Sequence, residues 1–304
     1  MPFDRRRLLA SLLFLAHSAR QAAGCQPDRE PRPTLGFSLY GMPKRELDQA
    51  LRVCAEVGYE HVELCLNPGY PTHPEAFPPD RRRQTVALLA ELRLRVSALM
   101  VLLNLTANEE THRQGLGVIT AAARVAHDLH DREPPLIETV LGGTPAEWET
   151  LKDRLAARLA DWARVAEQHR VVLGLKAHVS SAVNRPERLL WLLEQVPSPT
   201  LQVVYDYSHF ELQGIGLDES LQALLPRTRF IHVKDTRGDA REFRFLLPGE
   251  GRTDYQLYFD LLRKHSYTGP VCVEVSGQVF GQPDYDPVTA ARRSHAVLSR
   301  WTNP

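Results

Sequence analysis

The chain has 304 residues, and its charge cancels, with 37 Lys plus Arg against 37 Asp plus Glu. At 43% hydrophobic and 24% charged it is neither disordered nor collagen-like, and zero net charge argues against a partner held by bulk electrostatics, such as nucleic acid or an anionic membrane. Beneath the balance stand 32 Arg and only 5 Lys, so the position of each lysine is informative.

The chain opens on a basic cluster, Arg5-Arg6-Arg7, which runs into the apolar stretch Leu8–Ala16 and a small-residue exit at Ala22-Ala23-Gly24. This layout predicts an export signal over residues 1–25, of twin-arginine character, and with it a periplasmic or other extracytoplasmic location. The apolar stretch is far shorter than the roughly 20 residues that a membrane-spanning helix needs. Gly24-Cys25 offers a lipoprotein cleavage site, so the one membrane attachment expected is a lipid anchor at Cys25. An ordinary amphipathic N-terminal helix is the plainer alternative. Residues 26–33 read as a linker.

From residue 34 to 301 short apolar runs alternate with helical ones. The strand-like runs are Leu35–Leu39, His61–Leu66, Val96–Leu102, Leu136–Leu141, Val171–His178, Leu201–Tyr205, Phe230–Val233 and Val271–Val275. Several are almost continuously apolar, as parallel strands covered on both faces must be. Leu47–Val57, Trp148–His169 and Pro186–Val196 carry helical periodicity, and Gly58 and Gly269 stand where a helix should end before a strand. Eight strand–helix units in roughly 270 residues predict a single (β/α)8 TIM barrel, whose usual length is about 250. A doubly wound sheet would ask for a Gly-rich phosphate loop after an early strand, and SLYGMPK after the first run is not one. Cys54, Cys65 and Cys272 have no paired spacing and are expected in the core. The run Arg81-Arg82-Arg83 is expected on a solvated helix face.

Chemistry in a barrel gathers at the C-terminal ends of the strands. Those ends carry Glu63, Glu138, Lys176 with His178, Asp206 with His209, His232 with Lys234 and Asp235, and Glu274. Polar groups inside apolar strands are costly unless paired or metal-bound, so this convergence predicts a polar site.

In order along the chain, ELC at 63–65, LGLKAH at 173–178, DYSH at 206–209, FIHVKD at 230–235, LLPGEG at 246–251 and VEVSG at 273–277 resemble the xylose isomerase-like barrel superfamily, specifically its sugar phosphate isomerase/epimerase group. The resemblance implies a divalent metal (Mn, Mg or Zn) held by Glu, Asp, His and Glu from strands five to eight. Three of these positions are Asp206, His232 and Glu274; the fourth holds Lys176. His209 matches a histidine that contacts substrate or a second metal, and Glu63, Glu138, Lys234 and Asp235 are the candidate substrate contacts. The implied chemistry moves a proton next to a carbonyl through an enediolate. Gly249 and Gly251 are expected to serve backbone turns in the LLPGEG loop.

Lys176 puts the metal in doubt, because an ammonium cannot ligate a cation and repels one across a few ångströms. Three arrangements are open. The metal stays on Asp206, His232 and Glu274 with His178 or Glu138 completing its shell, His178 being favoured as the residue two beyond Lys176 on the same strand face. Alternatively Lys176 replaces the metal, or it loses its proton and acts as base or nucleophile. Glu274 is the expected base, with Lys176 and His209 as the other catalytic candidates. The reading is thus a carbohydrate isomerase/epimerase-type enzyme on a small sugar or keto-sugar. A sugar lyase or dehydratase on the same site and a non-catalytic sugar-binding barrel are the alternatives. An apurinic endonuclease is disfavoured, since strands two and three end in Glu63 and Asn104 rather than histidines. The sugar and the oligomeric state are left open.

Overall fold

The computed structural model describes residues 32–302. The predicted export signal, Cys25 and residues 26–31 of the linker lie outside this range. Among the described residues no helix is long and apolar enough to cross a membrane.

The strands are β1 (Thr34–Ser38), β2 (His61–Cys65), β3 (Arg95–Met100), β4 (Leu136–Val140), β5 (Leu173–Lys176), β6 (Leu201–Asp206), β7 (Thr228–Val233), β8 (Asp235–Gly238), β9 (Phe243–Leu246) and β10 (Pro270–Val273). Eight of them close a parallel barrel in the order β1-β10-β7-β6-β5-β4-β3-β2, and β8 pairs with β9 as an antiparallel hairpin standing after β7. The helices are α1 (Leu47–Val57), α2 (Pro79–Leu92), α3 (Glu109–Leu129), α4 (Trp148–His169), α5 (Pro186–Gln195), α6 (Tyr207–Glu211), α7 (Leu217–Leu224), α8 (Tyr255–Lys264), α9 (Gly277–Phe280) and α10 (Pro287–Thr302). All eight barrel strands fall on the apolar runs read from the sequence.

Period-2 alternation then sets the inside of the barrel. Ala98, Leu136, Val204, Phe230 and Cys272 form an apolar cluster of their own, separate from the large core shared with the helices. Two residues further along four of those strands stand Glu138, Asp206, His232 and Glu274. An apolar plug therefore lies directly beneath a layer of charged groups. β2 and β5 are buried along their whole length, so the charges on them have no water to turn to.

Four local expectations change. β5 ends at Lys176, and the His178 backbone N–H donates to the Val183 carbonyl, so His178 belongs to a turn and not to the strand face of Lys176. Gly58 does end α1, at φ 103°, but after α8 Ser266 takes the left-handed conformation in place of Gly269. Arg82 is no solvated residue: it is 8% exposed, its Nε donates to the Phe77 carbonyl at 2.6 Å, and Nη1 pairs with Asp128 at 2.7 Å. The β8–β9 hairpin was not legible as strands. Cys54, Cys65 and Cys272 are buried and free.

Candidate active site

The charged layer is a network between strands. Lys176 Nζ donates to Glu274 Oε1 at 2.8 Å and to His232 Nδ1 at 3.0 Å, and it lies 3.6 Å from Glu138 Oε2. Because an ammonium only donates, His232 Nδ1 must accept, which leaves the ring proton on Nε2 to face Glu63 Oε2 at 3.0 Å. Lys234 donates to Asp206 Oδ2 and to Glu274 Oε2. The other Asp206 oxygen accepts from the Ser208 backbone N–H at 3.2 Å and from its hydroxyl at 2.6 Å.

Burial and neighbouring charge sort the protonation states. Burial opposes the charged form of Lys176, but the carboxylates of Glu138, Glu274 and Asp206 outweigh it and hold the ammonium above its ordinary range. Burial also opposes ionisation of Glu274, yet Lys176 and Lys234 bring its carboxyl well below the usual range, and Lys234 with His209 does the same for Asp206. For Glu138 burial prevails over Lys176, and its carboxyl is pushed up to about 7. Burial lowers His209 to about 4 and, with the neighbouring His209 ring, His178 to about 2, so both are neutral at physiological pH.

A cavity of about 290 Å³ opens above this layer at the barrel mouth. Of the expected site residues, Glu138, Lys176, His178, His209, Lys234 and Glu274 line it. The His178 and His209 rings pack with centroids 4.1 Å apart, and His209 Nε2 lies 3.3 Å from Asp206 Oδ2. Asp206 and His232 sit beneath the cavity. Glu63 and Asp235, expected at the substrate, do not line it. Glu63 is wholly buried against His232, and Asp235 Oδ2 accepts from the backbone N–H groups of Gly249 at 2.7 Å and Gly251 at 2.9 Å, pinning the LLPGEG loop. Gly249 meets its turn at φ 89°, while Gly251 is required by closeness: a Cβ there would stand 2.6 Å from the Thr236 carbonyl oxygen.

Sequence reading missed Phe245 and Tyr40. Phe245, on β9, lines the cavity with the Lys234 ammonium 4.9 Å from its ring centroid and His209 edge-on at 5.2 Å. Its signal was the FRF alternation before LLPGEG. Tyr40 follows β1 and also lines the cavity, packed edge-on against Phe280 at 5.0 Å.

The family model of the xylose isomerase-like TIM barrel matches residues 51–301. The chain belongs to that family. Among family relatives, an inosose dehydratase of Mesomycoplasma hyopneumoniae strain J is 24% identical over 257 residues, covering 75% of this chain and 80% of the relative. The inosose dehydratase of strain 7448 is 26% identical over 164 residues, 49% of this chain and only about half (53%) of its own length. L-ribulose-5-phosphate 3-epimerase UlaE of Salmonella typhi is 21% identical over 245 residues, 77% of this chain and 84% of the relative. The solved IOLI protein, crystallised with a zinc atom, shares the family fold at TM-score 0.74 and 18% identity, covering 89% of this chain and all of that one.

A metal ion in this xylose isomerase-like barrel can be tested against its donors. Glu138, His232 and Glu274 bring ligand atoms within 4.8 Å of one another, a spacing that suits a divalent ion, as do Glu63, His232 and Cys272. The Lys176 ammonium, however, already stands among the first three, and both His232 nitrogens are spent on Lys176 and Glu63. A divalent ion 4 Å from that ammonium would be repelled by roughly 8 kcal/mol at an effective dielectric of 20. In the second group the Cys272 thiol is held well above its usual range by burial, and all three side chains are fully enclosed. The donors suit a metal; with Lys176 among them, the site does not.

Proposed function

We propose that the chain is an enzyme acting on a small keto-sugar or keto-polyol, from which it removes the proton next to the carbonyl. The observation that carries this reading is an ionised carboxylate, Glu274, set between two ammonium groups, Lys176 and Lys234, at a cavity of about 290 Å³. That volume is at the lower end of small-molecule pockets and suits one sugar ring. Each ammonium has three N–H donors and makes two hydrogen bonds, which leaves a third for a substrate oxygen. Two such donors stabilise the negative oxygen that forms when the neighbouring carbon loses its proton.

Glu274 is the base in this scheme. Glu138, poised to carry a proton near neutral pH, is the acid that returns it to an oxygen. Lys176 occupies the position of the first family glutamate, the one on strand five, so a pair of carboxylates on opposite faces of the substrate is missing. This favours proton transfer on one face, as in aldose–ketose isomerisation. A second reading, loss of water, is supported by the inosose dehydratases among the relatives: the same enolate expels a β-hydroxyl that Glu138 protonates.

Proton NMR in heavy water, with a panel of ketopentoses, ketohexoses and inososes, tests the proposal. Deuterium should enter beside the carbonyl of a turned-over substrate, with an isomer or a dehydrated product following. Ligands that bind but neither exchange nor react would overturn it in favour of a sugar-binding barrel. Export of the chain, with or without a lipid on Cys25, is a separate proposal resting on the pattern Arg5 to Cys25. Cell fractionation and mass measurement of the mature N-terminus test it.

A further inference from the structure

We infer that this barrel works without a divalent metal: Lys176 and Lys234 are its resident cations, and the Lys176 ammonium holds the place between Glu138, His232 and Glu274 that an ion would need. The inference deepens the reading of Glu274, Lys176 and Lys234 as one reaction centre and rests on it.

Three observations support it. The first is that no ligating atom of the three family positions is free. Asp206 Oδ1 is taken by Ser208 and Oδ2 by Lys234, Glu274 Oε1 by Lys176 and Oε2 by Lys234, and His232 Nδ1 by Lys176 and Nε2 by Glu63. Second, Lys176 is costly to move. It ends a strand buried along its length, its side chain is 4% exposed, and swinging it aside would strand Glu274 and Glu138 without their shared counter-charge. Third, the two ammonium groups supply what an ion would supply at this mouth, namely positive charge aimed at a substrate oxygen. They do so as point charges with directional N–H donors.

Replacing Lys176 by Glu removes the internal cation and completes four ligating groups with Asp206, His232 and Glu274. The test uses the full chain, purified without metal-chelate resin and dialysed against EDTA. It is then exposed singly to Mn2+, Mg2+ and Zn2+ and cleared of free ion by gel filtration, and bound metal is counted by plasma mass spectrometry. The wild type should retain none, and its turnover should be unchanged by EDTA. Lys176→Glu should retain about one ion per chain. Circular dichroism checks that the variant folds; if it does not, Lys176→Gln, which removes the charge and offers a carbonyl oxygen, takes its place in the comparison.

One ion retained per wild-type chain overturns the inference, whether or not the protein turns over. A folded variant that gains no ion also overturns it, because position 176 would then not be what keeps metal out. Metal-free wild type with no turnover on any sugar removes the proposed function and leaves the cation assignment standing, so the two readings fail separately.

Discussion

The Lys176 ammonium and the Glu274 carboxylate meet at 2.8 Å inside the barrel, with side chains only 4% and 10% exposed. A buried pair of this kind is held in place by the cost of separating it, not by a large net gain from forming it. Lys176→Met should therefore lose about 3–5 kcal/mol, since it leaves Glu274 and Glu138 short of counter-charge. The double variant Lys176→Met/Glu274→Leu should recover much of that loss. Urea unfolding of both measures the difference, and a fully stable single variant would show that the pair is not buried as described.

Glu274 touches both ammonium groups and faces the cavity. Glu274→Gln keeps the shape and removes the base, and turnover should fall by about 10²–10⁴-fold, the usual contribution of such a group. Steady-state rates, with circular dichroism to verify the fold, check this. Retained activity would take the role of base away from Glu274.

Glu138 gives a pH signature of opposite sign to an ordinary paired carboxylate. Its folded pKa of about 7 lies above its unfolded value of 4.5, so the folded state binds more protons between those limits. The stability it contributes is present at low pH and is lost as pH rises from 4.5 through 7. His178 and His209, lowered to about 2 and 4, act oppositely: their contribution is present above pH 6.5 and is lost as pH falls toward their folded values. Comparison of Glu138→Gln with the wild type cancels the histidines. The variant should show a higher stability relative to wild type at pH 8 than at pH 4.5, read from urea unfolding across that range. Parallel stability curves would show that Glu138 ionises normally.

Arg82 and Arg83 are neighbours with different fates. Arg82 holds the Phe77 carbonyl and Asp128 from a nearly buried position, whereas Arg83 pairs only with Asp80 on the surface. Arg82→Ala should cost about 1–3 kcal/mol by leaving a buried carbonyl unsatisfied. Arg83→Ala should stay within about 0.5 kcal/mol of the wild type. Thermal unfolding of the two variants side by side distinguishes them, and equal losses would contradict the burial difference.

Several site residues could be read from the sequence because a charge in an apolar strand has few explanations. Glu138, Asp206, His232 and Glu274 each stand two residues beyond an apolar barrel-interior residue, and that alternation is visible in one strand at a time. His178 misled for the same reason. Strand periodicity puts it on the face of Lys176 only while the strand continues, and the hydrogen bond to Val183 that ends it lies in the turn. Asp235 looked like a substrate contact because it follows Lys234 at a strand end. Its actual partners, the N–H groups of Gly249 and Gly251, are 14 and 16 residues away.

By itself the sequence determined a single barrel of eight parallel strands, the mouth at which its polar groups gather, and the anomaly of a lysine at position 176. Those follow from local rules: strands buried on both faces must be apolar, and exceptions to that must be compensated nearby. The tertiary structure alone decided who compensates whom. Lys176 finds Glu274 98 residues later, and His232 reaches back 169 residues to Glu63. Such pairings depend on barrel closure and strand register, which bring side chains within 3 Å irrespective of their distance in the chain. Those distances place the Lys176 ammonium among Glu138, His232 and Glu274, which no single strand shows.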